Sequence, residues 1–178
     1  MLFTKPPSAG LGVRVTAFVF DYFLIAGYLI FVVAVGSIVN ALFPIIAYEL
    51  FGNPLSGQIT GFLIITLPVS LYFLLFESST WQATWGKRRL GLRVARTDGT
   101  SLTVLRAGNR TLLKFIPWKL AHTCIWQINF AQEAAKPMIT VGFVLVWILV
   151  GANIVSLWIN STHQTLYDWL AGTYVIKG

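Results

Sequence analysis

Three ionisable residues stand where a hydrophobic chain rarely carries charge. Arg14 and Asp21 fall in the first long apolar stretch, GVRVTAFVFDYFLIAGYLIF (12–31), and Asp168 lies in the closing stretch HQTLYDWLAGTYVIKG (163–178). Seven residues is close to two helical turns, so Arg14 and Asp21 would project from one face, about 10 Å apart along the axis. If that helix crosses a bilayer, an ionised Asp21 costs about 2.5–3.5 kcal/mol on insertion scales. Such an acid is protonated, paired with a cation, or facing a wet cavity. The chemistry is then either a proton or cation site, or a structural ion pair that pins helix packing. Asp168 fits three roles: second carboxylate of a shared site, partner of Arg14, or a plain interfacial acid. Spacing alone leaves these open.

Other reactive residue types form no convincing site. His122 and Cys124 are two apart in apolar surroundings, with no second His/Cys pair at metal-ligand spacing. His122 and His163 as haem ligands would have to lie at one depth, which their positions in the chain argue against. Ser161, His163 and Asp168 supply the residue types of nucleophilic catalysis without an oxyanion element or a nucleophile turn. Glu77, before Ser78-Ser79-Thr80, could add a third polar contact to such a site, but reads more simply as an interfacial acid offsetting Lys87, Arg88 and Arg89. No enzyme, metal centre or cofactor is expected.

The elements that must position Arg14, Asp21 and Asp168 are membrane helices. Only 11% of the 178 residues are charged, against about 25% in a soluble domain, while 56% are hydrophobic and mean hydropathy is +0.73. About 20 apolar residues suffice to span a bilayer. Three stretches qualify clearly, near 15–39, 59–76 and 138–159, the second interrupted by Pro68. A proline there is tolerated when a neighbour satisfies the carbonyl it frees. The stretch 112–130 is apolar overall yet carries Lys114, Pro117, Lys119 and His122. It could lie in the interface, re-enter, or cross with its lysines snorkelling; crossing is preferred, since it puts Asp168 on the same side as Arg14. The short AQEAAKP segment then lies outside. Pro44, Gly52, Asn53-Pro54 and Gly57 mark a connecting loop. The N-terminal MLFTKPPSAG is too short in apolar run for a signal peptide, so the first helix is expected to be retained.

Charge sets the expected orientation. Nine of the thirteen basic residues fall between Lys87 and Lys119, and 44–58 has none. The positive-inside rule therefore puts 77–119 and the N-terminus in the cytoplasm, and a crossing at 112–130 brings the C-terminus to the same side. Within this region, alternating Leu90, Leu92 and Val94, the Asp98-Gly99 dipeptide, then Leu102 and Val104, predict a short β-hairpin. Arg106, Arg110 and Lys114 recur every four residues as one stripe of a basic amphipathic helix. Together with Lys87, Arg88 and Arg89 they are expected to contact anionic lipid or a partner. Nucleic-acid binding is not needed to explain the +7 net charge.

The Arg14-x6-Asp21 pair, the stretch WGKRRLGLRVARTDGTSLTVLRAGNR (85–110) and HQTLYDWLAGTYVI resemble the RDD family of small membrane proteins, named for an arginine and two aspartates. The signature residues fall on Arg14, Asp21 and Asp168; Trp169 stands where a basic residue is common. The resemblance implies a multi-pass protein of the bacterial inner membrane. Cation or proton-coupled transport is the activity usually suggested, and an accessory role in a larger complex is the alternative. The overall expectation is one domain over 1–178: an all-α bundle of four spans with a cytoplasmic hairpin and basic helix, embedded in lipid as a homo-oligomer or complex subunit.

Overall fold

A computed structural model describes residues 8–130, 135–160 and 162–178. Residues 1–7, where the signal-peptide expectation falls, most of the AQEAAKP segment, and Ser161 lie outside the described residues. The chain runs α1 (Leu11–Leu42), α2 (Pro44–Phe51), α3 (Pro54–Gly61), a π-helical turn (Phe62–Thr66), α4 (Leu67–Ser78), α5 (Trp85–Arg89), β1 (Leu92–Arg96), α6 (Val104–Phe130), α7 (Lys136–Ile159), α8 (Leu166–Leu170) and β2 (Thr173–Lys177). Among the described residues, three helices are long and apolar enough to cross a membrane: Leu11–Leu42, Pro54–Ser78 and Lys136–Ile159. These contain the three clear spans expected from the sequence.

The 44–58 stretch is not an open loop. Pro44 and Pro54 each open a helix, where a proline loses no intrahelical bond. Asn53 caps α3, its side-chain oxygen accepting from the backbone N–H groups of Leu55 at 3.1 Å and Ser56 at 2.9 Å. The punctuating residues therefore divide two helices; they do not prevent them.

Pro68 lies just after the π-helical turn in the second span. Ile64, four residues earlier, loses the N–H that a regular α-helix would aim at its carbonyl. The Tyr28 hydroxyl donates to that carbonyl from α1. The proline is tolerated because a neighbouring helix supplies the missing donor.

The hairpin expectation is overturned. The Asp98-Gly99 turn does form: Arg96 N–H donates to the Thr100 carbonyl at 2.9 Å, and Asp98 Oδ1 accepts from Thr100 N–H at 3.0 Å. The chain leaving it does not return along β1. Leu102 drops into the core and α6 begins at Val104. β1 pairs instead with β2, antiparallel, from Leu92 opposite Lys177 to Arg96 opposite Thr173. Ser8 bridges to Ile176, and Ala9 N–H donates to the Val175 carbonyl at 2.9 Å. Four consecutive buried residues, Thr173 to Ile176, make β2 the better partner. Leu92, Val94 and Val175 pack with Ala9, Ala17 and Ala107, so the small sheet seals the end of the bundle where α1 and α6 begin.

The basic helix is continuous with the 112–130 stretch. α6 is one 27-residue helix through Pro117, with no re-entrant break. Near its start Arg110 reaches Glu77 at the end of α4; near its finish Trp126 stacks on Phe51 of α2 at 6.0 Å.

Candidate functional site

Five charged side chains join in a line of alternating sign at the sheet-capped end. Arg14, in the first turn of α1, donates through one terminal nitrogen to Asp168 Oδ2 at 2.9 Å and through Nε to the Ala9 carbonyl at 3.0 Å. Arg110 Nε donates to the other oxygen, Asp168 Oδ1, at 2.8 Å. The Arg110 guanidinium also bonds Glu77 Oε2, and Glu77 Oε1 accepts from Lys87 Nζ. The line thus reads Arg14, Asp168, Arg110, Glu77, Lys87. Arg110, Glu77 and Asp168 are almost wholly buried, at 1%, 0% and 0% exposure.

Local sequence explains the position of Asp168. Thr165 caps α8 by accepting from the Asp168 N–H at 3.2 Å, and Thr173 Oγ1 donates to Asp168 Oδ1 at 3.2 Å. Gly172, at φ +62°, turns α8 back into β2. Asp168 is thereby held between the helix and the strand. Burial pushes its carboxyl up, but Arg110 and Arg14 outweigh this and hold it below the usual carboxylate range. Burial pulls the Lys87 ammonium below its ordinary value, with Glu77 only partly opposing.

Asp21 belongs to a different arrangement. Its Oδ1 accepts from the Tyr72 hydroxyl at 2.7 Å and the Gly86 N–H at 2.7 Å; Oδ2 accepts from the Thr84 hydroxyl at 2.6 Å. All three donors are neutral, and among the described residues Asp21 forms no ion pair. Gly86 makes this possible. A Cβ there would overlap the Ala17 carbonyl and stand 2.9 Å from Asp21 Cγ. α5 can lie against α1 only because residue 86 lacks a side chain.

The expected trio is therefore split. Arg14 and Asp168 meet; Asp21 meets neither. A seven-residue separation puts Arg14 and Asp21 on one face but leaves them about 10 Å apart, and each finds nearer partners. The expected lipid-contact set is split too. Arg88 and Arg89 are exposed, lying over the rings of Trp81 at 4.3 Å and Trp85 at 4.7 Å. Arg106 is partly buried and reaches the Gly172 carbonyl at 3.5 Å. Arg110 and Lys87 turn inward to carboxylates, so they are not surface lipid contacts. Lys114 lies over Phe73, 3.1 Å from the ring centroid.

Sequence reasoning missed Arg110 as a network member, ranked Glu77 as an interfacial acid rather than a site contact, and missed Tyr72, Thr84 and Gly86 as the cradle of Asp21. A hint was present for Arg110: Ala107 and Gly108 just before it are small enough for close helix approach. His122 Nε2 accepts from Trp126 Nε1 at 2.9 Å and packs against Gly61, whereas His163 lies beyond the end of α7. The two histidines share no site.

Apolar helices exposed along their length, closed at one end by a sheet and a buried line of ion pairs, define a helical integral membrane protein. The family model described as "RDD family" matches residues 8–172, most of the chain, and the protein belongs to that family. Arg14, Asp21 and Asp168 all lie inside the matched segment. Comparison with curated proteins gives no match, and comparison with solved structures gives none either.

Proposed function

We propose that the protein is a non-catalytic membrane subunit in which Arg14, Asp168, Arg110, Glu77 and Lys87 staple the bundle, leaving its exposed helices to engage lipid and partner helices. One observation carries the reading. Both oxygens of Asp168 and both of Glu77 already accept from cations. An ion passing through this line would have to break these pairs, and removing one partner of a buried pair costs about 3–5 kcal/mol. The pairs tie α1, α4, α5, α6 and α8 together across up to 154 residues of sequence.

The bundle is read as four crossings. α6 begins beside Glu77 at one end of the Pro54–Ser78 helix and finishes with Trp126 against Gly57 and Phe51 at the other. α7 then returns to α8 and β2, which pairs with β1. By the positive-inside rule the sheet-capped end, with Arg88, Arg89, Arg93, Arg96 and Arg106, faces the cytoplasm of a bacterial inner membrane. Both ends of the chain are then inside. Large exposed side chains along α1 and α7, such as Phe23 and Trp147, provide faces for a second copy or a partner subunit.

A second reading, cation or proton-coupled transport, draws on Asp21. It is an acid held only by neutral donors, and it lines a cavity beside α1. Ion flux separates the two. Purified protein is reconstituted alone, a Na⁺ or K⁺ gradient is imposed, and internal pH is followed for wild type and Asp21→Asn, both checked for folding and insertion. Background-level traces from both are expected. Gradient-driven proton movement lost in Asp21→Asn would overturn the stapled-subunit reading in favour of transport.

A further inference from the structure

We propose that the groove between α1 and the α6–α7 pair binds one anionic phospholipid, with its phosphate at Lys114 and its acyl chains along the apolar walls. The groove has a volume of about 520 Å³. Phe18 of α1, Trp118 of α6, and Val150 and Ile154 of α7 form its walls, a surface that suits hydrocarbon. The lining also carries the charged residues Arg14, Asp21, Lys87, Arg110 and Lys114. An amphiphile with a charged head and apolar tails matches both halves; a free ion matches only one.

Charge bookkeeping fixes the sign of the head. Four cations, Arg14, Lys87, Arg110 and Lys114, stand against three carboxylates, Asp21, Glu77 and Asp168. Asp168 and Glu77 are shared among Arg14, Arg110 and Lys87, and Asp21 is occupied by neutral donors. The cluster thus carries one positive charge in excess, and Lys114 is its cation held by no carboxylate at ion-pair distance. It is partly buried and makes no ion pair among the described residues, resting instead on the Phe73 ring. At 1.5 Å per residue it lies about 6 Å further along α6 than Arg110, and the next lining residues on that helix are the apolar Pro117 and Trp118. An ammonium beside hydrocarbon with no counter-anion is costly. A phosphodiester supplies the charge and carries the chains that fill the walls. A zwitterionic lipid would bring its own ammonium into a cluster that already has a positive excess.

The test uses the full chain purified in mild detergent and offered equal amounts of phosphatidylglycerol and phosphatidylcholine with identical acyl chains. Retained lipid is read by native mass spectrometry. Wild type is expected to hold phosphatidylglycerol in preference by roughly fivefold, the effect of one Lys or Arg charge near an anionic lipid. Lys114→Gln removes that preference, and Arg88→Gln, at an exposed cation, keeps it. Ile154→Trp fills the groove without touching charge and lowers occupancy by either lipid. Equal retention of the two lipids by wild type would overturn the proposal, as would an unchanged preference in Lys114→Gln. Displacement of bound lipid by excess inorganic phosphate would identify a free-anion site instead. If Lys114→Gln fails to fold, Ile154→Trp and the wild-type competition still decide.

Discussion

Arg110→Gln is the most informative single substitution. Arg110 is 1% exposed and bonds two carboxylates from different elements, Glu77 on α4 and Asp168 on α8. Glutamine keeps much of the length and polarity but removes the charge and the fork. Asp168 then retains Arg14 and Thr173, and Glu77 retains Lys87. Neither acid is abandoned, so the penalty should fall near that of one broken buried pair, about 3–5 kcal/mol, rather than twice that. Arg110→Lys should cost nearly as much, because a point charge cannot hold two carboxylates in fixed directions. Arg106→Gln, one turn earlier in the same stripe, removes only a 3.5 Å bond to the Gly172 carbonyl and should cost about 1 kcal/mol or less. Equilibrium unfolding in mixed micelles, followed by tryptophan fluorescence, measures all three. If Arg110→Gln and Arg106→Gln are indistinguishable, the line of ion pairs does not staple the bundle and the reasoning fails.

Two further outcomes follow from close contacts. Gly86→Ala should cost about 3 kcal/mol or more, the sum of an overpacked α1–α5 contact and a weakened N–H bond to a carboxylate; a thermal midpoint equal to wild type would contradict it. Tyr28→Phe should cost about 1–3 kcal/mol by stranding the Ile64 carbonyl. Pro68→Ala restores a backbone donor to that carbonyl, so the double substitution should be less damaging than the sum of the singles. Strict additivity in the same unfolding assay would show that Tyr28 does not compensate for the proline.

The parts of the fold set by hydropathy were legible in the sequence, and the parts set by distant pairing were not. Long apolar runs specify spans whatever surrounds them, so 15–39, 59–76 and 138–159 could be read directly. The β1 partner could not. Asp98-Gly99 is a sound turn signal and the turn exists, but turn chemistry says nothing about which strand occupies the free edge. The choice went to Thr173–Lys177, whose burial depends on α1 and α6 being in place. The site divides the same way. Arg14 with Asp168 was accessible once both were recognised as misplaced charges. Glu77 looked interfacial because Ser78 and Ser79 follow it and the basic run from Lys87 to Arg89 lies further on, and only the fold turns Lys87 and Arg110 towards it.

The stripe Arg106, Arg110, Lys114 shows why helical spacing alone is a poor guide to role. The three share a face by periodicity, yet one meets a backbone carbonyl, one two carboxylates and one an aromatic ring. What separates them is the neighbour stacked over each turn: the α8–β2 turn, then Asp168 and Glu77, then Phe73. The same ordering governs cost. A cation that reaches backbone at the rim can be replaced cheaply; one between two buried acids cannot; one beside hydrocarbon without an ion pair keeps its charge more readily when an anion from outside the chain meets it. Stapling and lipid capture are consequences of one stripe crossing three environments, and substitutions at 106, 110 and 114 should therefore produce three different kinds of defect rather than one graded loss.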